Sequence, residues 1–125
     1  MTATPPPPPP APAPSPDLIS IQEFARVQMR IGKVLQVRDH PNAAKLYILD
    51  VDLGPDLGKR QLVAGLKPYL PPEALLDTLI VVVTNLEPAV LRGERSDGML
   101  LAAQEGDRVV PLTVAAPLAP GSKIR

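Results

Sequence analysis

The sequence predicts an all-β fold, a small barrel of five strands, from three observations. Short runs rich in Val, Ile and Leu, several with in–out alternation, recur along the chain between turn signals. Glycines sit within or beside those runs, where a strongly curved sheet needs a bend. A short helical signal falls between the third and fourth runs and another precedes the first, proportions that suit a closed barrel better than a sandwich.

The elements follow in order. Residues 1–16, "MTATPPPPPPAPAPSP", hold 9 of the 18 prolines and no charge, so an extended or disordered arm is expected, either a tether or a ligand for a proline-binding module. Residues 17–125 remain as one folded domain. "SIQEFARV" opens it with a short helix, Ser20 and Glu23 forming a capping box and Ile21, Phe24 and Ala25 sharing a face. "VQMRIGKVLQV" reads as a long first strand, with Met29, Ile31, Leu35 and Val37 on one face and Gly32 marking a bulge or bend beside the out-of-pattern Lys33. "DHPNAAKL" is a connection built on Pro41-Asn42 turn chemistry. "LYILDVDL" is the second strand, directing Tyr47, Leu49, Val51 and Leu53 one way. "GPDLGKR" turns the chain into "RQLVAGL", the third strand, closed by Gly65.

"PPEALLD" then supplies the short helix, with proline at its start. "TLIVVVT" is a central fourth strand and "GMLLAA" the fifth. "RVVPLTV" adds a weaker strand, and "PLAPGSKI" ends the chain as an extension without a clear element. These proportions are those of the OB-fold, which binds oligonucleotides on its strand 2–3 face and on the loops between strands 1 and 2 and between strands 4 and 5. The corresponding loops here are "DHPNAAK" and "NLEPAVLRGERSDGMLLA". The second is far longer than an ordinary hairpin loop.

Composition excludes several functions. With no cysteine there are neither disulfides nor thiolate metal sites. No apolar segment approaches membrane-spanning length and no signal-peptide pattern is present, so a cytoplasmic protein is expected. The net charge of zero argues against a generic polyanion binder, but the charge is uneven. Residues 26–45 sum to +4 and residues 59–67 to +3, with Asp50, Asp52 and Asp56 between them. The single histidine, His40, lacks partners at ligand spacing and reads as a surface turn residue. Asp50 and Asp52 read as a solvated strand face, and "GPDLGKR" lacks the spacing of a phosphate loop. Neither catalysis nor a metal or cofactor is expected.

The long loop has the side chains of a nucleic-acid contact. Asn85 can bond a base edge or the backbone, and Arg92 and Arg95 can pair with phosphate or stack. Ser96 and the chain around Gly93 and Gly98 allow close approach, and Met99 can pack against a base. The plainer alternative is a solvated loop that only joins two strands.

Four segments, "FARVQMRIGKV", "HPNAAKLY", "VAGL" and "NLEPAVLRGERSDGMLLAA", stand in an order that resembles one family. It is the tRNA-binding domain at the C-terminus of many bacterial methionyl-tRNA synthetases, also found as a free-standing structure-specific tRNA-binding protein and in a human cytokine precursor. The resemblance covers residues 19–125. It implies an OB-fold that binds tRNA by shape without chemistry of its own, as a homodimer joined through its N- and C-terminal elements or beside an aminoacyl-tRNA synthetase. The family's contacts carry over to Lys33, Lys45, Asn85, Arg92, Ser96 and Met99, and the chemistry of the loop adds Arg95.

Three positions depart from the family pattern: Glu87 and Val90 stand where lysine is usual, and Asp97 where glutamine is usual. Residues 85–97 consequently sum to −1, and weaker tRNA binding is expected. Two alternatives stay open. One is a dimer resembling a secretion-associated, peptide-binding chaperone; the other is a dimerisation domain without nucleic-acid binding.

Overall fold

One strand joins the two halves of the sheet. In the computed structural model, which describes residues 17–125, β1 runs from Met29 to Asp39. The expected Pro-rich arm, residues 1–16, lies outside the described residues. β2 (Tyr47–Asp52) and β3 (Lys59–Ala64) follow, separated by a single helical turn, α2 (Gly54–Leu57). A 3-10 turn at Pro72–Ala74 leads to β4 (Leu79–Val83). Then come β5 (Ala89–Leu91), β6 (Glu94–Ser96), β7 (Met99–Leu100), β8 (Ala102–Glu105) and β9 (Arg108–Pro111).

The first half of β1 pairs antiparallel with β4, from Met29↔Val83 to Lys33↔Leu79. The second half pairs antiparallel with β2, from Lys33↔Asp52 to Asp39↔Tyr47. With β3 beside β2 and β7 beside β4, the five-stranded order is β3-β2-β1-β4-β7. The barrel nearly closes where Asp97 N donates to Gln61 O of β3 at 2.8 Å. The expected all-β barrel is therefore the observed one.

Its core forms as the alternation of β2 requires: Tyr47, Leu49, Val51 and Leu53 point inward together. They meet Val34, Leu62, Ile80, Val82 and Leu100, with Leu75, just past the 3-10 turn, completing the cluster. Each fully buried side chain of this kind contributes roughly 1.5–3 kcal/mol.

β1 corrects the expected pattern. The pairing register shifts between Val34 and Gln36, so the bulge falls at Leu35 and the strand changes face there. Gly32 and Val34 are fully enclosed, while the expected inward Leu35 is half-exposed. Gly32 answers a different need. A Cβ on it would lie 2.5 Å from Val51 Cγ1 and 2.9 Å from Leu53 Cδ2, so only glycine lets β1 cross the core at that height.

The predicted fifth strand is broken at Leu101. β7 pairs with β4, whereas β8 leaves the barrel to form a hairpin with β9. The tail expected to carry no element instead lines β1. Gly121 N donates to Ile31 O at 2.7 Å, Ile31 N to Ser122 O at 2.9 Å and Ile124 N to Met29 O at 3.1 Å. This edge is open to it because β2 begins pairing only at Lys33.

Ahead of the barrel, α1 (Ile21–Ala25) carries the predicted capping box, with both Ser20–Glu23 bonds present at 3.0 and 3.1 Å. None of its residues is buried, and its apolar face lies uncovered.

Replacing Gly32 by alanine will lower stability by about 1–3 kcal/mol through overpacking against Val51 and Leu53. A chemical denaturation curve reads this directly, and an unchanged midpoint would refute the close approach.

Candidate nucleic-acid interface

The long connection between β4 and β7 is not an open loop. Its middle is the hairpin β5–β6, with Leu91↔Glu94 as the last pair and Arg92-Gly93 as the turn. Both turn residues have positive φ, 53° and 89°. Positive φ at both central residues is what the type I′ turn, one of the two that match strand twist, requires. Gly93 adopts it freely, while at Arg92 it costs about 1–2 kcal/mol.

Alternation divides the hairpin. Ala89, Leu91, Glu94 and Ser96 share one face; Val90 and Arg95 share the other. Ser96 is buried, its Oγ accepting from Val63 N at 3.0 Å and donating to Gly98 O at 3.0 Å. Gln61 Nε2 donates to Arg95 O at 2.9 Å. β6 is thereby stitched to β3, while Val90 and the Arg95 side chain face solvent.

His40 overturns its expectation as a surface turn residue: it is only 4% exposed. Its Nδ1 accepts from Asn42 N at 2.9 Å, so the neutral ring carries its proton on Nε2, which donates to Leu91 O at 2.9 Å. His40 N also donates to Leu46 O at 3.2 Å, closing the connection in which Lys45 lies. The two loops that an OB-fold uses for binding are thus fastened to each other by one imidazole.

The predicted residues do not form a single cluster. Lys45, Arg92 and Arg95 lie on the two connections that meet at His40. Lys33 lies on β1 seven residues earlier, on the order of 20 Å along the strand. Asn85 belongs to the start of β1: its Oδ1 accepts from Gln28 N at 2.8 Å and its Nδ2 donates to Arg26 O at 2.6 Å. One N–H and one oxygen lone pair of its amide thus hold the backbone leading into the barrel, and the residue stays exposed. Met99 occupies the row Met29–Val83–Met99 and is half-exposed. Ser96, buried and doubly bonded, contributes hairpin shape and has no free donor to offer a ligand.

Charge follows the same sorting. Arg30 Nη1 donates to Gly121 O at 3.1 Å and Arg60 Nη1 to Thr84 O at 2.7 Å. Arg38 reaches Asp50 and Gln61 at 3.4 and 3.2 Å, and Lys67 lies 3.2 Å from Asp39. Arg26, Lys33, Lys45, Lys59, Arg92 and Arg95 carry no side-chain hydrogen bond or ion pair among the described residues. These six side chains are the available cations of the two basic segments and the hairpin. Among the described residues no three His, Asp or Glu side chains gather as a metal site requires.

The family model described as "Putative tRNA binding domain" matches residues 29–123, from the first residue of β1 to the segment that pairs with it. The chain belongs to the tRNA-binding domain family. This domain is 50% identical over 107 residues to the methionine–tRNA ligase of Pyrococcus furiosus, covering 86% of this chain and 14% of the ligase. With the ligase of Thermotoga maritima it shares 49% identity over 106 residues, 85% of this chain and 16% of that one. The chain thus spans about one seventh of the length of the ligases it matches.

Among solved structures, a MetRS-related protein from Pyrococcus horikoshii superimposes with a TM-score of 0.80 at 31% identity, over 87% of this chain and 99% of that one. The chaperone CsaA from Bacillus anthracis gives 0.77 at 29%, over 86% and 99%. Among the described residues no helix is long and apolar enough to cross a membrane.

Ser96→Ala will destabilise this tRNA-binding domain by about 1–3 kcal/mol, because Val63 N–H loses its acceptor in a buried site. A thermal midpoint equal to that of the unsubstituted protein would return Ser96 to the list of ligand contacts.

Proposed function

We propose that this domain is a non-catalytic module that grips tRNA by shape and backbone, in the cytoplasm, either free-standing or appended to an aminoacyl-tRNA synthetase. The observation that carries this reading is the set of cations without protein partners, Lys45, Arg92 and Arg95, on the two connections joined at His40. Cations already neutralised inside a protein release few counterions from RNA; unpaired ones release them and supply affinity. A weak module of this kind raises the effective concentration of tRNA at a synthetase without altering its active site.

The hairpin also accounts for the expected weakness. Val90, where the family carries lysine, is 69% exposed and directly opposite Arg95 on the solvent face. A cation is therefore missing at a position that points outward. Glu87, Glu94 and Asp97 further lower the local field.

Bulk tRNA titrated across a salt series tests the reading. Affinity will be micromolar or better at low salt and will fall as salt rises, with a slope corresponding to fewer than eight phosphate contacts, at about 0.9 per contact for duplex. Lys45→Ala with Arg92→Ala will abolish most of it, whereas Val90→Lys will steepen the slope by about 1. Asn85→Ala is a poor probe, since its amide supports backbone. Salt-insensitive binding of unfolded polypeptide would favour instead the chaperone reading that the likeness to CsaA keeps alive.

The homodimer belongs to the same proposal. A five-residue helix cannot persist in isolation, and Leu18, Ile19, Ile21 and Phe24 are 72, 64, 71 and 43% exposed in the single chain. A second copy packed on this face would cover them. Sedimentation will give twice the chain mass, and Ile21→Glu with Phe24→Glu will halve it; an unsubstituted protein that sediments as a monomer excludes this arrangement.

A further inference from the structure

The hairpin is held at three points. Two lie on β6: Gln61 Nε2 bonds Arg95 O, and Ser96 Oγ bonds Val63 N. Together they attach one strand of the hairpin to β3 and leave an axis about which the other strand can swing. The third point is on β5, where His40 Nε2 bonds Leu91 O, the carbonyl immediately before the Arg92-Gly93 turn. Three points fix a body that two leave free to rotate.

The same ring sets the first connection. Because Nδ1 receives the Asn42 N–H, the turn at Pro41-Asn42 orients the imidazole, and the proton left on Nε2 is the one aimed at Leu91. The opposite tautomer would set two N–H donors against each other at Asn42 and two acceptors at Leu91. The turn of one loop therefore selects the tautomer that captures the other.

We infer that His40 is a positioning residue for tRNA binding, locking the Lys45 connection and the Arg92 hairpin in one register so that their cations meet the backbone phosphates together. The inference rests on the proposed tRNA reading and adds to it a residue that touches no RNA. It also explains why a buried histidine stands in a turn, where a surface residue would have served to reverse the chain.

Two substitutions separate the halves of the ring. In His40→Asn, the side-chain oxygen still accepts the N–H two residues on, as asparagine does in turns, but the side chain is too short to reach Leu91. In His40→Gln, the longer amide offers a donor to Leu91 O. H40N will lower the thermal midpoint modestly, since Leu91 O loses its donor, and will bind tRNA about five- to tenfold more weakly, a factor within what one hydrogen bond can supply. Its salt slope will fall by about 1, as when one phosphate contact is lost. H40Q will regain most of the affinity. Adding H40N to the Lys45→Ala, Arg92→Ala double variant will cost little further, because the one cation left on these connections, Arg95, lies on the strand that β3 itself holds.

Imidazole nitrogen shifts will report the Nε2–H tautomer, and backbone relaxation at Arg92 and Gly93 will show a more mobile turn in H40N. Full additivity with the double variant, or a turn no more mobile in H40N than in the unsubstituted protein, would overturn the inference. Absence of tRNA binding by the unsubstituted protein would defeat the tRNA reading itself, and the relaxation measurement would still decide whether His40 holds the hairpin.

Discussion

The domain depends on a single strand having three partners. β1 pairs with β4 along its first residues and with β2 along its last, and the C-terminal segment takes the edge that β2 leaves open. The exchange of partners at Lys33 forces the strand to curve across the core rather than lie flat on it. Gly32 and the bulge at Leu35 are the two local concessions to that curvature, one giving up a side chain and the other a pairing. From there the geometry propagates. β1 ends beside His40, and the connection bearing Lys45 emerges against the hairpin.

A chain with no net charge can hold a polyanion only by an uneven use of its charges. Here the acidic groups at Asp39 and Asp50 are matched to Lys67 and Arg38, pairs that are partly exposed and worth little as stability. Their effect is on the field: they neutralise Arg38 on β1 and Lys67 after β3, while Lys45, Arg92 and Arg95 on the connections stay uncompensated, as do Lys33 and Lys59 on the strands. The hairpin adds strain to this arrangement. Arginine in a left-handed turn position sacrifices stability that asparagine or glycine would retain, and it places a guanidinium at the tip.

Much of the fold was legible because β2 sends Tyr47, Leu49, Val51 and Leu53 to one face and prolines and glycines mark its turns, and the capping box at Ser20 stands as read. What escaped has specific causes. The bulge at Leu35 reverses the face of β1 without any composition signal, so Ile31, Leu35 and Val37 looked like one row. The turn at Arg92-Gly93 lacks the usual asparagine, and the hairpin around it read as a plain loop. His40 finds its partner 51 residues away, beyond any local pattern. Asn85 and Ser96 show a deeper ambiguity: a short polar side chain that could meet RNA can equally meet backbone, and only the fold decides. The free lysines at positions 33 and 45 were named from the family pattern, and composition alone would have given equal weight to Arg30 and Arg38.

The C-terminal pairing has a consequence for synthesis. Arg30 bonds Gly121 across 91 residues of chain. A ribosome delivers β1 early, yet the edge of its first residues waits for the last segment of the domain to be made. Long-range closures of this kind slow folding, and an open strand edge invites pairing with another chain in the interval. Covering of that edge is therefore timed to the end of translation of the domain, and a ribosome stalled before Gly121 would hold out a sheet with one border unfinished.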